Sequence, residues 1–491
     1  MIQSEPISWL VKVIIIQLIG SALLYAQPNT LWTKSYGGNS DDYGHSVIQT
    51  SDGGFVIAGD YNANYLSNIG DIYLIKTDQN GDTVWTKTYG GQLGDYSLSV
   101  LQTSDGGFAL TGYTHSFGSF TRSALLLKTD STGNMLWLKT YGINNYNACH
   151  SIHLTSDEGF ILAGETSISG TSNDCYVIRT DSNGDTIWAK TYGGPNTEWA
   201  DDAFQMPDGG FIISGTTNSY GTGGFDAYLI RIDINGDTLW TKTYGGPEDD
   251  WTASANITSD NGLLITGATS SFGNGQEDIF LLRTDHNGDT LWIRTYGGSG
   301  TDWALSAYQI SGGGFIVIGR TNSFGAGSND LYLLRIDSNG DSLWAQTYGD
   351  TGDESGSSVK QTSDEGFILT GHTSSFGSGG RDVYLIRLLP DSTVGIFGSN
   401  EIYPDGFFLY QNYPNPFNPT TKIEYSIPEM SKITLTVINP VGEKITTLVD
   451  ETKDAGNYEV IWSAKGIPNG VYFYRLQTGD FVKTKKMILL K

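Results

Sequence analysis

Five adjacent pairs of an acid and an aromatic residue are the side chains in this 491-residue chain best suited to chemistry: Asp42-Tyr43, Asp95-Tyr96, Glu198-Trp199, Asp250-Trp251 and Asp302-Trp303. A carboxylate beside an aromatic face suits sugar or peptide binding, and several carboxylates brought together can hold a cation. The same pattern also serves structure, with the acids capping strands and the aromatics packing between elements. Asn147-Ala148 and Glu354-Ser355 occupy the corresponding places in two further copies and break the pattern. A second column, Asp60, Tyr113, Glu165, Thr216, Ala268, Arg320 and His372, follows a repeated glycine and varies where its surroundings do not, as recognition positions or drifting ones do.

Other chemistry finds little support. Asp78-Gln79-Asn80-Gly81-Asp82 has the look of a calcium loop, but the sixth and twelfth places hold Thr83 and Tyr89 where Gly and Glu are needed. It also departs from the sialidase Asp-box, with one residue too many before Trp85 and Gln79 in an acid's place. The six histidines show no metal-ligand spacing, and neither a Gly-x-Ser-x-Gly elbow nor a phosphate loop occurs. No catalytic residue, metal site or cofactor is therefore assigned, and Ca²⁺ at a carboxylate cluster has no motif behind it.

What must position these residues is a repeat. Trp32, Trp85, Trp137, Trp188, Trp240, Trp292 and Trp344 recur at intervals of 53, 52, 51, 52, 52 and 52 residues, mostly within Asn-Gly-Asp-Thr-x-Trp-x-Lys-Thr-Tyr-Gly-Gly. A period this constant, with no strong helical segment inside it, describes an array of β units. In the first copy, strand A (Ser46–Thr50) leads through Ser51-Asp52-Gly53-Gly54 to strand B (Phe55–Gly59), and a Gly/Ser/Asn loop leads to strand C (Asp71–Lys76). The Gln79–Asp82 turn then opens strand D (Thr83–Tyr89). Strands B and C are apolar on successive residues, as expected for a sheet covered on both faces. Seven A-B-C sets exist, but only six are followed by a Trp-bearing D strand; the seventh D strand lies at the N-terminus, Leu31–Tyr36. The fold expected is all-β, a seven-bladed β-propeller over residues 27–392 whose N-terminal strand completes the last blade. The acid–aromatic pairs would then line one mouth of a central channel, on the side of the long B–C loops.

The repeated phrase resembles the tryptophan-docking motif of quinoprotein-type propellers, in which the Trp wedges between blades. The spacing from Gly81 to Trp85 matches, while the interval from Asp78 to Gly81 is one residue short. The chain lacks the adjacent-cysteine disulfide and any quinone-site feature of that family, so the resemblance implies the fold and not redox activity.

The two ends speak to destination. Lys12 precedes an apolar run from Val13 to Leu24, and Leu24-Tyr25-Ala26 supplies a small-residue cleavage site, which reads as a secretory signal peptide over residues 1–26. Of 28 Lys+Arg and 53 Asp+Glu, residues 403–491 carry 10 and 9; the first 402 residues hold 18 and 44, a net charge of −26. So acidic a body repels phosphate backbones and argues against nucleic acid as a partner. Cys149 and Cys175 fall on the first and third strands of one unit, too far apart to bridge, and are expected to be free packed thiols.

After a linker over residues 393–409, residues 410–491 change character, with a proline-punctuated entry and alternating strands that fit a small immunoglobulin-type sandwich. This stretch resembles the type A sorting domain of the bacterial type IX secretion system. Tyr413-Pro414-Asn415-Pro416-Phe417, Gly442, Gly470, Tyr472 and the basic terminal strand with Lys483, Lys485 and Lys486 carry the likeness. The resemblance implies secretion machinery as partner and the outer surface of a Gram-negative bacterium as destination. The reading is a secreted or cell-surface binding and adhesion scaffold for a glycan or protein; the alternative is an extracellular carbohydrate-active enzyme with its site on the loop-rich face.

Overall fold

The computed structural model describes residues 23–167, 172–395, 407–409, 412, 415, 417–428, 430–453, 456–479 and 481–489. The expected signal peptide lies outside them up to residue 22, as do most of the linker and Tyr413, Pro414 and Pro416. The chain divides into two compact units, Leu23–Val394 and a unit containing Gly395–Lys491.

The larger unit is all-β and consists of repeated four-stranded antiparallel sheets, as in a β-propeller. In the first sheet the strands are A (Tyr43–Gln49), B (Phe55–Asn64), C (Ile69–Thr77) and D (Thr83–Tyr89), paired in that order. Five sheets repeat the order along the chain. In the last, Glu354–Gln361, Phe367–Thr373 and Asp382–Leu388 receive their fourth strand from Thr30–Tyr36, with Trp32 opposite Arg387. Each A strand touches the A strand of the next sheet, and Glu354–Gln361 touches Tyr43–Gln49, so the circuit is closed. A short strand, Leu23–Ala26, also pairs with Ser392–Gly395.

The phrase that sets the period is the fastening between sheets. Trp32 stands edge-on to Phe55 of the next sheet, with ring centroids 6.0 Å apart, and Trp85 meets Phe108 at 6.2 Å. The indole rests on the glycine of the next Asn-Gly turn: a Cβ at Gly81 would lie 2.8 Å from the Trp32 ring, and one at Gly133 2.8 Å from Trp85. The Tyr36 hydroxyl donates to the Gly81 carbonyl at 2.6 Å, and Lys34 pairs with Asp82 at 2.8 Å. At the A–B turns a glutamine staples neighbouring sheets. Gln102 accepts from the Ser51 amide, Gln309 from Ser259, and Gln49 from Ser363 across the closure at 2.8 Å.

Two details differ from the sequence reading. Strand A starts earlier, on the acid itself in copies such as Asp95–Gln102 and Asp250–Ile257, because a bulge lengthens it. The bulge falls between Gly44 and Ser46 and at the same place in every copy. Strand B runs at least two residues past its glycine, so the variable column belongs to the sheet and not to a loop. The glycine faces the bulge, where a Cβ at Gly59 would collide with the Tyr43 carbonyl oxygen and one at Gly371 with that of Ser355. The thiols of Cys149 and Cys175 are free and buried, as expected.

The smaller unit holds seven strands among its described residues. Phe408–Leu409, Thr420–Ile427 and Gly456–Ser463 form one sheet; Lys444–Lys453, Ser431–Ile438, Gly470–Thr478 and Phe481–Leu489 form the other. Alternation turns Ile433, Leu435, Val437, Tyr474, Met487 and Leu489 into a shared core with Ile423 and Trp462. Gly470 pairs with Leu489, Tyr472 is buried opposite Met487, and Lys483 and Lys486 are exposed on the last strand while Lys485 is half-buried.

Deleting residues 27–38 is expected to lower the melting temperature, and a peptide of residues 29–38 added in trans to restore part of it; unchanged melting would refute the closure. The docking itself is separable from turn strain. Gly53 and Gly81 both have positive φ, but nothing lies within 4 Å of a Cβ at Gly53. Urea unfolding should show Gly53→Ala costing about 1 kcal/mol and Gly81→Ala roughly 1–3 kcal/mol more.

Candidate functional site

The five acids of the pairs are buried, each 0–1% exposed, and each accepts hydrogen bonds, Asp250 through Oδ2 alone. Asp42 accepts from the Gly38 amide at 2.7 Å and the Asn62 amide at 2.8 Å. Glu198 accepts from Gly194 at 2.7 Å and from the Thr217 hydroxyl at 2.8 Å; Asp302 accepts from Gly298 at 2.8 Å and from Ser323 and Thr321. Asp95 takes Gly91 and Thr114, and Asp250 takes Gly246 and Ser271. The acid thus ties the Tyr-Gly-Gly junction after one sheet to the end of strand B in the next. Asn147 and Glu354 do the same work where the acid–aromatic pattern is broken.

A second acid, at the head of strand C, faces each of these. A Cβ at Gly193 would lie 2.5 Å from Asp174 Oδ1 and 2.5 Å from Glu198 Oε2, so this glycine sits between two carboxylates. Gly37, Gly90, Gly245, Gly297 and Gly349 sit likewise between such pairs, and the one junction without them has Ser123 and Asn147 instead. Burial pushes the Asp226 carboxyl up to about 6, and Asp250 adds to the shift. Burial likewise raises Asp71, Asp174 and Asp382, with Asp95, Glu198 and Asp42 adding in turn.

The aromatic members of the pairs are distributed differently. Tyr96 is buried, while Tyr43, Trp199, Trp251 and Trp303 are partly exposed. Trp251 and Trp303, from neighbouring sheets, stack with centroids 5.6 Å apart and planes 24° off parallel. Tyr65 joins Tyr43 to Tyr96, which in turn meets Tyr113. The two columns singled out in the sequence are cross-strand partners, Tyr43 with Asp60, Trp199 with Thr216, Trp251 with Ala268 and Trp303 with Arg320. They form one surface. Three arginines stack on it, Arg122 over Tyr113, Arg320 over Trp303 and Arg381 over Tyr43.

The bulge residues went unnoticed in the sequence because a bulge has no composition signature. His45, Leu98, His150, Asp201, Ala253, Leu305 and Ser357 are all partly exposed beside buried neighbours, and they line the axis on which the A strands converge. Burial pushes the Asp201 carboxyl well up, against a bond from the Thr252 hydroxyl at 2.5 Å, with Asp202 and Glu165 adding to the rise. His153 pairs with Asp202 at 2.9 Å. Among the described residues no group of three or more His, Cys, Asp or Glu is arranged to hold a metal ion.

Residues 411–490 match the family of secretion system C-terminal sorting domains. The regulatory protein FlaEY of Caulobacter vibrioides is 25% identical over 198 residues, 37% of this chain and 19% of its own length. PorZ, a surface component of the type IX secretion system of Porphyromonas gingivalis, is similar in structure at 12% identity, with a TM-score of 0.42 over 93% of this chain and 60% of that one. Sqt1 of Chaetomium thermophilum is similar at 9% identity and a TM-score of 0.44, over 75% of this chain and all (100%) of the other.

The carboxylates imply a two-sided pH profile. Asp226 binds its proton more tightly folded than unfolded, so its contribution to stability grows as pH falls from about 6 to about 4. Asp52 and Asp105 work oppositely. Burial raises them, but Thr50 and Lys76, and Thr103 and Lys128, outweigh it and hold each at about 2. Their contribution is present above about 4 and lost as pH falls to about 2. The melting temperature is expected to peak near pH 4–5, with Asp226→Asn flattening the limb above it; a steady rise to pH 8 would contradict this assignment.

Proposed function

We propose that this chain is an exported surface protein whose seven-bladed β-propeller is a binding and adhesion scaffold, with the partly exposed aromatic surface at the head of the A strands as its ligand-binding face. The stacked Trp251–Trp303 pair carries the reading: two indoles partly exposed together at the loop end of adjacent sheets supply apolar contact area, and the acid beside them, Glu277, is taken by the Trp303 Nε1–H. The neighbouring acids are occupied as caps, which favours binding over hydrolysis. A glycan or a protein segment is the ligand class. The Trp32-on-Gly81 docking supports kinship with tryptophan-docking propellers.

The sorting-domain match at residues 411–490 supports delivery by the type IX route, with residues 1–26 as the signal for the inner membrane and the smaller unit as an immunoglobulin-like sorting sandwich. The secretion machinery is then its partner through Gly470, Tyr472 and the basic strand of Lys483, Lys485 and Lys486. The alternative, a carbohydrate-active enzyme, rests on Asp201. Asp201, its carboxyl pushed up by burial, stands beside Trp199 with Asp202 and Glu165 near and has the makings of a general acid.

A glycan and protein array probed with the full chain is expected to give binding that Trp251→Ala abolishes while leaving the melting temperature nearly unchanged. Release of sugar from a polysaccharide, lost in Asp201→Asn, would replace the scaffold reading with the enzyme. Deleting residues 410–491 should leave the protein in the periplasm; surface delivery without them would refute the sorting assignment.

A further inference from the structure

We infer that Trp251, Trp303 and Arg320 form a subsite for a carboxylated sugar, a uronate residue within an acidic glycan. The inference rests on the glycan-binding reading and narrows it. Three arginines stack on aromatic rings of this face, and two are neutralised: Arg122 pairs with Glu165 at 2.6 Å and Arg381 with Asp353 at 2.8 Å. Arg320, 5.0 Å over the Trp303 ring, has no carboxylate within ion-pair distance among the described residues. The nearby Glu277 carboxylate accepts instead from Trp303 Nε1 at 2.5 Å. In a chain with 53 acidic and 28 basic residues, a guanidinium held over an indole and left unpaired is a receptor for an external anion.

The residue paired with Trp251 is small. Cross-strand from Trp251 stands Ala268, where other copies carry Asp60, Tyr113, Glu165 or His372, so no long side chain covers the indole from that side. A pyranose laid on the Trp251–Trp303 pair presents its C–H face to the indoles, and a carboxylate on the ring reaches the Arg320 fork. The net charge of −26 over the first 402 residues gives no long-range attraction for such a ligand. Selectivity must therefore come from this contact and not from the field of the protein.

The test is calorimetric titration of the full chain with a galacturonic acid tetramer and with the matched neutral galactose tetramer. The acidic tetramer is expected to bind about tenfold or more tightly than the neutral one. Arg320→Gln should erase that preference while Trp251→Ala removes binding of both sugars. Arg320→Lys, which keeps the charge and loses the fork, should restore only part of the preference and serves if the glutamine variant folds poorly. Equal affinity for the two tetramers, or a preference that survives Arg320→Gln, overturns the subsite and leaves the glycan-binding scaffold standing. Binding of neither tetramer, with array signal confined to proteins, overturns the subsite together with the glycan reading.

Discussion

An indole laid on a glycine holds this protein together. Trp32 on Gly81, Trp85 on Gly133 and Trp137 on Gly184 are the same contact, repeated from sheet to sheet. Gly81 must be glycine twice over. Its φ of +76° is one that side chains rarely adopt, and its missing Cβ is where the indole lies. The turn that opens strand D in one sheet is thus the seat for strand D of the sheet before, so the repeat length and the interface are one constraint. A strand cut from the far end of the chain can close the circuit because it carries the same Trp, Lys and Tyr, and it meets the same turn.

The copies that depart from the pattern show the constraint acting. A buried cation in strand C pairs with the aspartate of the A–B turn, as in Lys76 with Asp52, Arg231 with Asp208 and Arg387 with Asp364. The sixth copy has Ser311-Gly312-Gly313 there and no acid, and Arg335, 1% exposed, pairs with Asp391 from beyond the last sheet at 2.8 Å. A buried guanidinium must be paired, and a residue outside the repeat supplies the charge. The Ser123–Asn147 junction follows the same logic with the sign reversed: both carboxylates are replaced and the cap survives through the amide.

This division of labour also separates binding from fold. The acids that sequence alone offers as ligands are consumed by the Tyr-Gly-Gly junctions, since a buried carboxylate needs donors and the loop amides are the nearest ones. Their aromatic neighbours point the other way along an alternating strand, and some remain accessible. The resulting surface is mostly aromatic, with arginines stacked on it and few free acids, on a body that is otherwise strongly acidic.

The period, the four-strand unit, the displaced N-terminal strand and the sorting tail were legible in the residues, because each is a matter of spacing or local turn chemistry. Even the need for glycine at Gly59 and its copies could be read, though its cause, a bulge in the facing strand, could not. Which member of each acid–aromatic pair stays accessible was decided only by tertiary structure. Adjacent residues on a strand point to opposite sides, and the bulge sets which side is which. That Asp250 and Asp302 are caps, that Trp251 and Trp303 stack, that Arg320 lacks the acid its counterparts have, and that Asp201 faces the axis all depend on neighbours some fifty residues away in the chain. Spacing along one strand carries no information about those.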